Sequence, residues 1–264
     1  MVTRRTFLKL VGGVATTGVL SKLGVNAYYD QIRTFSHGGI SIAARRWVSD
    51  QELLDVAKEI NLVNPLVSDD FKIRKVDLTD KNDKTMHIVF SNIMFKEVPI
   101  GVRLPKIRGG QAVFSTPNAH RISSFHEAAH ALFADDRLYK KNEQFGQAFS
   151  NVFKHYKIPE TSEITKYNAA LENNPFFRIF DESHYQNFGF PIGHPSHYPQ
   201  ELFASASAVM RHFPKHFLDN LELLGREDPK AHEIALDVTR KTLGFYGEAK
   251  MKVFSPKLIS AIEH

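Results

Sequence analysis

The chain has 264 residues, 42% of them hydrophobic, and a formal net charge of +5, but residues 1–27 hold Arg4, Arg5, Lys9 and Lys22 and no acid, so the other 237 carry only +1. With no long basic run left, that balance argues against nucleic acid or an anionic membrane surface as a partner. Cysteine is absent, which excludes thiolate metal ligands, a catalytic thiol, disulfide staples and a lipidated N-terminal cysteine, and leaves stability to an ordinary core.

The first segment, Thr3-Arg4-Arg5-Thr6-Phe7-Leu8-Lys9, resembles the twin-arginine export motif. The apolar stretch from Leu10 to Leu20 is diluted by Gly12, Gly13, Thr16, Thr17 and Gly18, too short and too polar for a stable membrane span. Val25-Asn26-Ala27 suggests cleavage after Ala27, with Tyr28 as the mature N-terminus. The resemblance implies the twin-arginine machinery as a partner, and a periplasmic or secreted destination reached by an already folded protein. Residues 28–264 then form one catalytic unit of two lobes.

Residues 28–116 read as a mixed α/β front lobe. Ser49-Asp50-Gln51-Glu52 has the capping-box pattern, and Leu53, Leu54, Val56, Ala57 and Ile60 mark one apolar helix face. Strand-like runs follow at Phe71–Leu78, Met86–Ser91, Val98–Leu104 and Gln111–Ser115, separated by turn material such as Asp80-Lys81-Asn82-Asp83. From 117 to 264 the chain turns helical. Pro and Gly punctuate helices predicted at Gln144–Tyr156, Thr161–Glu172, Gln200–His212, Pro214–Leu224 and Pro229–Phe245. The fold class expected is α+β, a small sheet ahead of an active-site helix and a mainly helical lobe.

That active helix carries His126, Glu127, Ala128, Ala129 and His130, an H-E-x-x-H motif within the unbroken run Ser123–Leu132. Residues four apart stack on one helix face, so both imidazoles can address one zinc ion while Glu127 leans toward its open side. A hydrolytic zinc site needs a third protein ligand and a position left for water. Asp136 lies six residues after His130, but the compact arrangement needs a glycine where this chain has Phe133. Asp135 and Asp136 read more simply as a solvated helix C-terminus, with a contact to a ligand histidine as the next role. Glu201 is the stronger candidate. Pro199 fits the first turn of a new helix, and Ala204, Ser205 and Ala208 present small side chains on the face of Glu201, which lets that helix approach the first.

H-E-x-x-H followed about seventy residues later by Glu201-Leu202-Phe203-Ala204 resembles the gluzincin metallopeptidases, most closely the family of the anthrax lethal factor catalytic domain and the secreted Pro-Pro endopeptidases. The resemblance covers roughly Gln111 to His212. It implies a zincin-like fold, one Zn2+ held by His126, His130 and Glu201, a peptide or protein substrate, and an edge strand at Gln111–Ser115 against which an extended peptide pairs. A tyrosine seven residues before the ligand glutamate assists the reaction in that family. Here the position is His194, with Tyr198 and His197 as nearby substitutes. Zinc would activate a water and polarise the scissile carbonyl, Glu127 would accept the water proton and pass it to the leaving amine, and His194 or Tyr198 would face the oxyanion.

The remaining histidines, His184, His212, His216 and His232, read as surface or satisfied interior positions. Phe145, Phe149 and Phe153 recur at helical spacing and read as core, as do Phe176 and Phe177. The segment Phe188–Tyr198 leads into Glu201 and is a candidate pocket lining. The expected activity is that of an exported zinc endopeptidase. The alternatives are a zinc-binding envelope protein without hydrolysis, kept open by His194, and an amidase acting on cell-wall peptides.

Overall fold

A computed structural model describes residues 31–46, 48–78, 85–90, 100–103, 118–158, 171, 174–185, 195–196 and 198–263. The proposed leader, the strand expected at Gln111–Ser115, nearly all of the helix expected at Thr161–Glu172, and both His194 and His197 lie outside them. The architecture is mixed α+β, with a small sheet in the front lobe and a mainly helical remainder.

The sheet opens with a hairpin outside the predicted elements, β1 (Ile32–His37) against β2 (Ile40–Arg45). Gly38 and Gly39 make the turn at φ +57° and +80°, a left-handed conformation that a side chain strains. A Cβ on Gly38 would also lie 2.2 Å from the side-chain nitrogen of Asn61. β3 (Ile73–Leu78) runs parallel to β2, and β4 (Thr85–Phe90) and β5 (Ile100–Arg103) extend the sheet antiparallel, in the order β1-β2-β3-β4-β5. The last three strands fall on predicted runs. Their starts shift slightly: Phe71 ends a 3₁₀ turn over Asp69–Phe71 instead of opening β3, and β4 begins at Thr85 instead of Met86.

The parallel step from β2 to β3 needs a crossover, and α1 (Asp50–Val63) supplies it. Its predicted capping box forms: the Glu52 amide donates to Ser49 Oγ at 3.2 Å, and the Ser49 amide donates to Glu52 Oε2 at 2.9 Å. At the far end Asn64 clasps the start of β3, its amide donating to Ile73 O at 2.8 Å and its oxygen accepting from Ile73 N at 2.9 Å. In register, Ile42 sits beside Val76 and Ala44 beside Leu78, and all four are buried. The α1 face Leu53, Val56, Ala57, Ile60 and Val63 closes over the same core.

The helical lobe contains α2 (Asn118–Ala134), α3 (Tyr139–His155), two single turns α4 (Pro175–Arg178) and α5 (Glu182–Tyr185), then α6 (Pro199–His212), α7 (Pro214–Glu227), α8 (Pro229–Tyr246), α9 (Lys250–Val253) and α10 (Pro256–Glu263). α2 packs against α1 on one side and α6 on the other. Most of it from Ile122 to Leu132 is buried, as expected of a central helix. The predicted phenylalanines are core: Phe145 and Phe153 are fully buried, and Phe133, Phe145, Phe203 and Phe245 pack with ring centroids between 4.5 and 6.2 Å apart. Among the described residues no helix is long and apolar enough to cross a membrane.

Asp135 departs from the expected solvated helix end, because it is buried. Its carboxylate accepts from Ser68 N at 2.7 Å and from Arg137 through the amide at 3.0 Å and Nη2 at 2.7 Å, while Arg137 Nη2 also reaches Leu66 O at 3.2 Å. The end of α2 is thereby tied to the segment that enters β3. Burial opposes charge on Asp135, but the Arg137 and Ser68 donors outweigh it and hold the carboxyl down at about 2. A depressed pKa contributes stability that is fully present above the unfolded value, near pH 4, and is lost as pH falls toward 2. Asp135→Asn should therefore cost about 1–3 kcal/mol at neutral pH, since it weakens a partner to buried donors. Urea unfolding followed from pH 7 to pH 2 should show the wild-type advantage shrinking below pH 4, and a constant advantage would remove this role.

Candidate metal centre

Three side chains from two helices converge. His126 and His130, one turn apart on α2, face Glu201 in the first turn of α6. The two Nε2 atoms lie 3.1 Å apart, His126 Nε2 is 3.5 Å from Glu201 Oε2, and His130 Nε2 is 3.5 Å from Glu201 Oε1. A tetrahedral ion with bonds of about 2.0–2.1 Å separates its donors by roughly 3.3 Å. The triangle therefore has the size of one face of such a site, and this buried group could hold a metal ion. Among the described residues it is the one His, Cys, Asp or Glu group of that kind.

Two local features place Glu201. Pro199 opens α6 at N1, where its missing amide hydrogen costs nothing, and the helix then delivers the third residue toward α2. Ala204, Ser205 and Ala208 are fully buried along α6, and their small side chains let the backbones come together. α6 packs along α2.

A carboxylate that the sequence reading missed orients the first histidine. Glu182, on the single turn α5, is fully buried and its Oε1 lies 2.7 Å from His126 Nδ1. A carboxylate only accepts, so Nδ1 carries a proton and donates, which turns Nε2 toward the ligand position, where a metal ion would take the place of the Nε2 proton. No spacing signal marks Glu182. Its position depends on Phe176, Phe177 and Phe180, which anchor the segment in the core, with Phe180 against Phe217 at 5.7 Å. Tyr185 locks the turn by donating to Ile179 O at 2.7 Å and stacking on Phe213 at 5.3 Å.

The electrostatics follow from two imidazoles among three carboxylates. Burial disfavours charge on His126, but Glu182 outweighs it through its charge and hydrogen bond, with Glu201 adding to this, and the imidazole pKa is raised well above its ordinary value. Burial works the same way against Glu201, and hydrogen bonds from His126 and His130 overcome it, so its carboxyl stays far below the usual range. Glu127 is the exception. Burial raises its pKa against the pull of His130 and His126, and Oε2 has no hydrogen-bond partner among the described residues. A buried acceptor without a partner is costly unless something arrives to fill it.

Other predicted residues fall elsewhere. Asp136 is exposed on the 3₁₀ turn Asp136–Leu138 and is not in the donor group, because α2 continues through Phe133 into the aromatic core. Tyr198 is the residue before the first turn of α6 and is 45% exposed. His184 and His216 are exposed, and His212 is largely buried 3.9 Å from Glu59, its pKa pressed down to about 3 by burial and by Arg121 and Arg211. No family model, no curated protein and no solved structure matches the chain.

If Glu182 orients His126, Glu182→Gln should weaken metal binding by about 10–100-fold with the fold intact. Competition against a chelator of known affinity, with circular dichroism as the folding control, measures this. Unchanged affinity would show that the contact is packing alone.

Proposed function

We propose that the chain is an exported zinc metallopeptidase of the gluzincin type, built on a zincin-like fold. What supports this most directly is that His126, His130 and Glu201, distant in sequence, meet in a triangle of metal-sized edges with Glu127 buried beside them. Two imidazoles and one carboxylate suit zinc best among common divalent ions and leave a position for water. Zinc bound there would supply a Lewis acid and a water acidic enough to act near neutral pH.

The protein's own groups then divide the work. Glu182 holds the His126 proton on Nδ1 and keeps Nε2 pointed at the ligand position. Glu127 accepts a proton from the attacking water and returns it to the leaving amine. Its buried, unpartnered oxygen suits a group that must take a proton and give it back. His194 is the first candidate to face the oxyanion, and Tyr198 the second. The substrate class is peptide or protein, and the twin-arginine sequence at Arg4-Arg5 supports a periplasmic or secreted site of action.

The deciding experiment measures metal content and peptide turnover together in the protein purified without added metal. One zinc per chain is expected, lost in Glu201→Ala and kept in Asp136→Ala. Glu127→Gln should keep zinc and lose about 10²–10⁴ in turnover, and His194→Phe should keep zinc and lose a smaller factor. A metal-loaded protein inert toward a broad peptide library and toward cell-wall peptides would favour a binding role, and undiminished turnover in Glu127→Gln would overturn the mechanism.

A further inference from the structure

A second constellation lies at the opposite ends of the helices that carry the metal ligands. Where α2 begins and α6 ends, Arg121 and Arg211 both turn toward Glu59 of α1. Arg121 Nε donates to Glu59 Oε1 at 2.6 Å, and Arg211 Nε donates to Oε2 at 3.3 Å. Glu59 is only 3% exposed, while the two arginine side chains are 42% and 23% exposed. Beside them opens a cleft of about 530 Å³ between α1, the hairpin tip at His37 and these two arginines. It shares no residue with the metal group.

The way the arginines are held matters more than their number. Glu59 takes both guanidiniums by their Nε edges, and Arg211 spends Nη1 on Val253 O at 2.6 Å. Both terminal nitrogens of Arg121 and Nη2 of Arg211 have no protein acceptor among the described residues. A buried carboxylate that grips guanidiniums from behind pre-orients their outer donors, the geometry that favours bidentate recognition of an oxyanion. Lys58 and Asn61 line the same cleft and add donors. The lining carries three fixed cations against two carboxylates. One of those is consumed by the arginines, and the other, Asp55, accepts from Gln51 at 2.8 Å.

We propose that this cleft is an oxyanion-binding site, in which the outer edges of Arg121 and Arg211, with Lys58, receive one carboxylate or phosphate group while Glu59 holds the guanidiniums in place. The test is calorimetric titration of the exported protein with inorganic phosphate and, separately, with acetate, at matched ionic strength. Saturable binding of one of them in the low-millimolar range or tighter is expected, and which one binds distinguishes a phosphate from a carboxylate ligand. Arg121→Gln should weaken it at least tenfold and Lys58→Gln severalfold. Lys58 is exposed, so the second variant keeps the fold if the first does not. Absence of saturable binding by both anions, or wild-type affinity in both variants, would overturn the proposal and leave the cluster as a tie between three helices. The measurement needs no metal, so its failure is separate from failure of the peptidase reading.

Discussion

The contact between α2 and α6 sets the positions of all three donor atoms, because a carboxylate on one helix reaches a metal shared with another only where the backbones lie close. α2 supplies two imidazoles by its own periodicity, but Glu201 arrives through packing. The small residues Ala204, Ser205 and Ala208 are what permit that packing, since larger side chains would push the helices apart by more than a glutamate can span. The aromatic group Phe133, Phe145, Phe203 and Phe245 fixes the pair from behind. Phe203 and Glu201 sit two residues apart on α6, so one turn of helix faces both the aromatic core and the donor group.

The same closeness creates an electrostatic problem that the surroundings answer. Three glutamates and two histidines are drawn from water into one small volume, where unpaired charge is expensive. Glu201 and the Oε1 oxygen of Glu182 face the imidazoles, and each imidazole in turn presents Nε2 to the shared position. Glu127 Oε2 and Glu182 Oε2 are left without a hydrogen-bond partner among the described residues. A metal ion held by His126, His130 and Glu201 would add positive charge beside these carboxylates. At the other end of the same helix pair, Glu59 between Arg121 and Arg211 meets the same constraint with protein cations. The two ends of the α2–α6 pair thus hold carboxylates by different means, one through imidazoles and one through guanidiniums.

Parts of the site were legible because local rules govern them. Stacking of residues four apart placed His126 and His130 together, and the Pro199 start with its small-residue face singled out Glu201. The aromatic side chain at Phe133 argued against Asp136, and in the fold that ring is core. The capping box at Ser49 and the strands from Ile73 onward follow from equally local signals. The β1–β2 hairpin has a signal too, two glycines between alternating runs, yet it fell outside the predicted elements. Asp135 was misread as solvated because nothing near it in the chain announces that Ser68, 67 residues earlier, will donate to it.

The sequence alone thus determined the chemistry available: which residues could ligate, which could act as base, and which helix faces could come together, since these depend on periodicity and side-chain type over a few turns. Only the tertiary structure decided that Glu182 orients His126, that Asp135 ties α2 to the entry of β3, and that Glu59 draws Arg121 and Arg211 to one cleft. Each of those contacts joins residues more than fifty positions apart. No local pattern encodes such a pairing, because it is the packing of the shared core that brings the partners within hydrogen-bond reach.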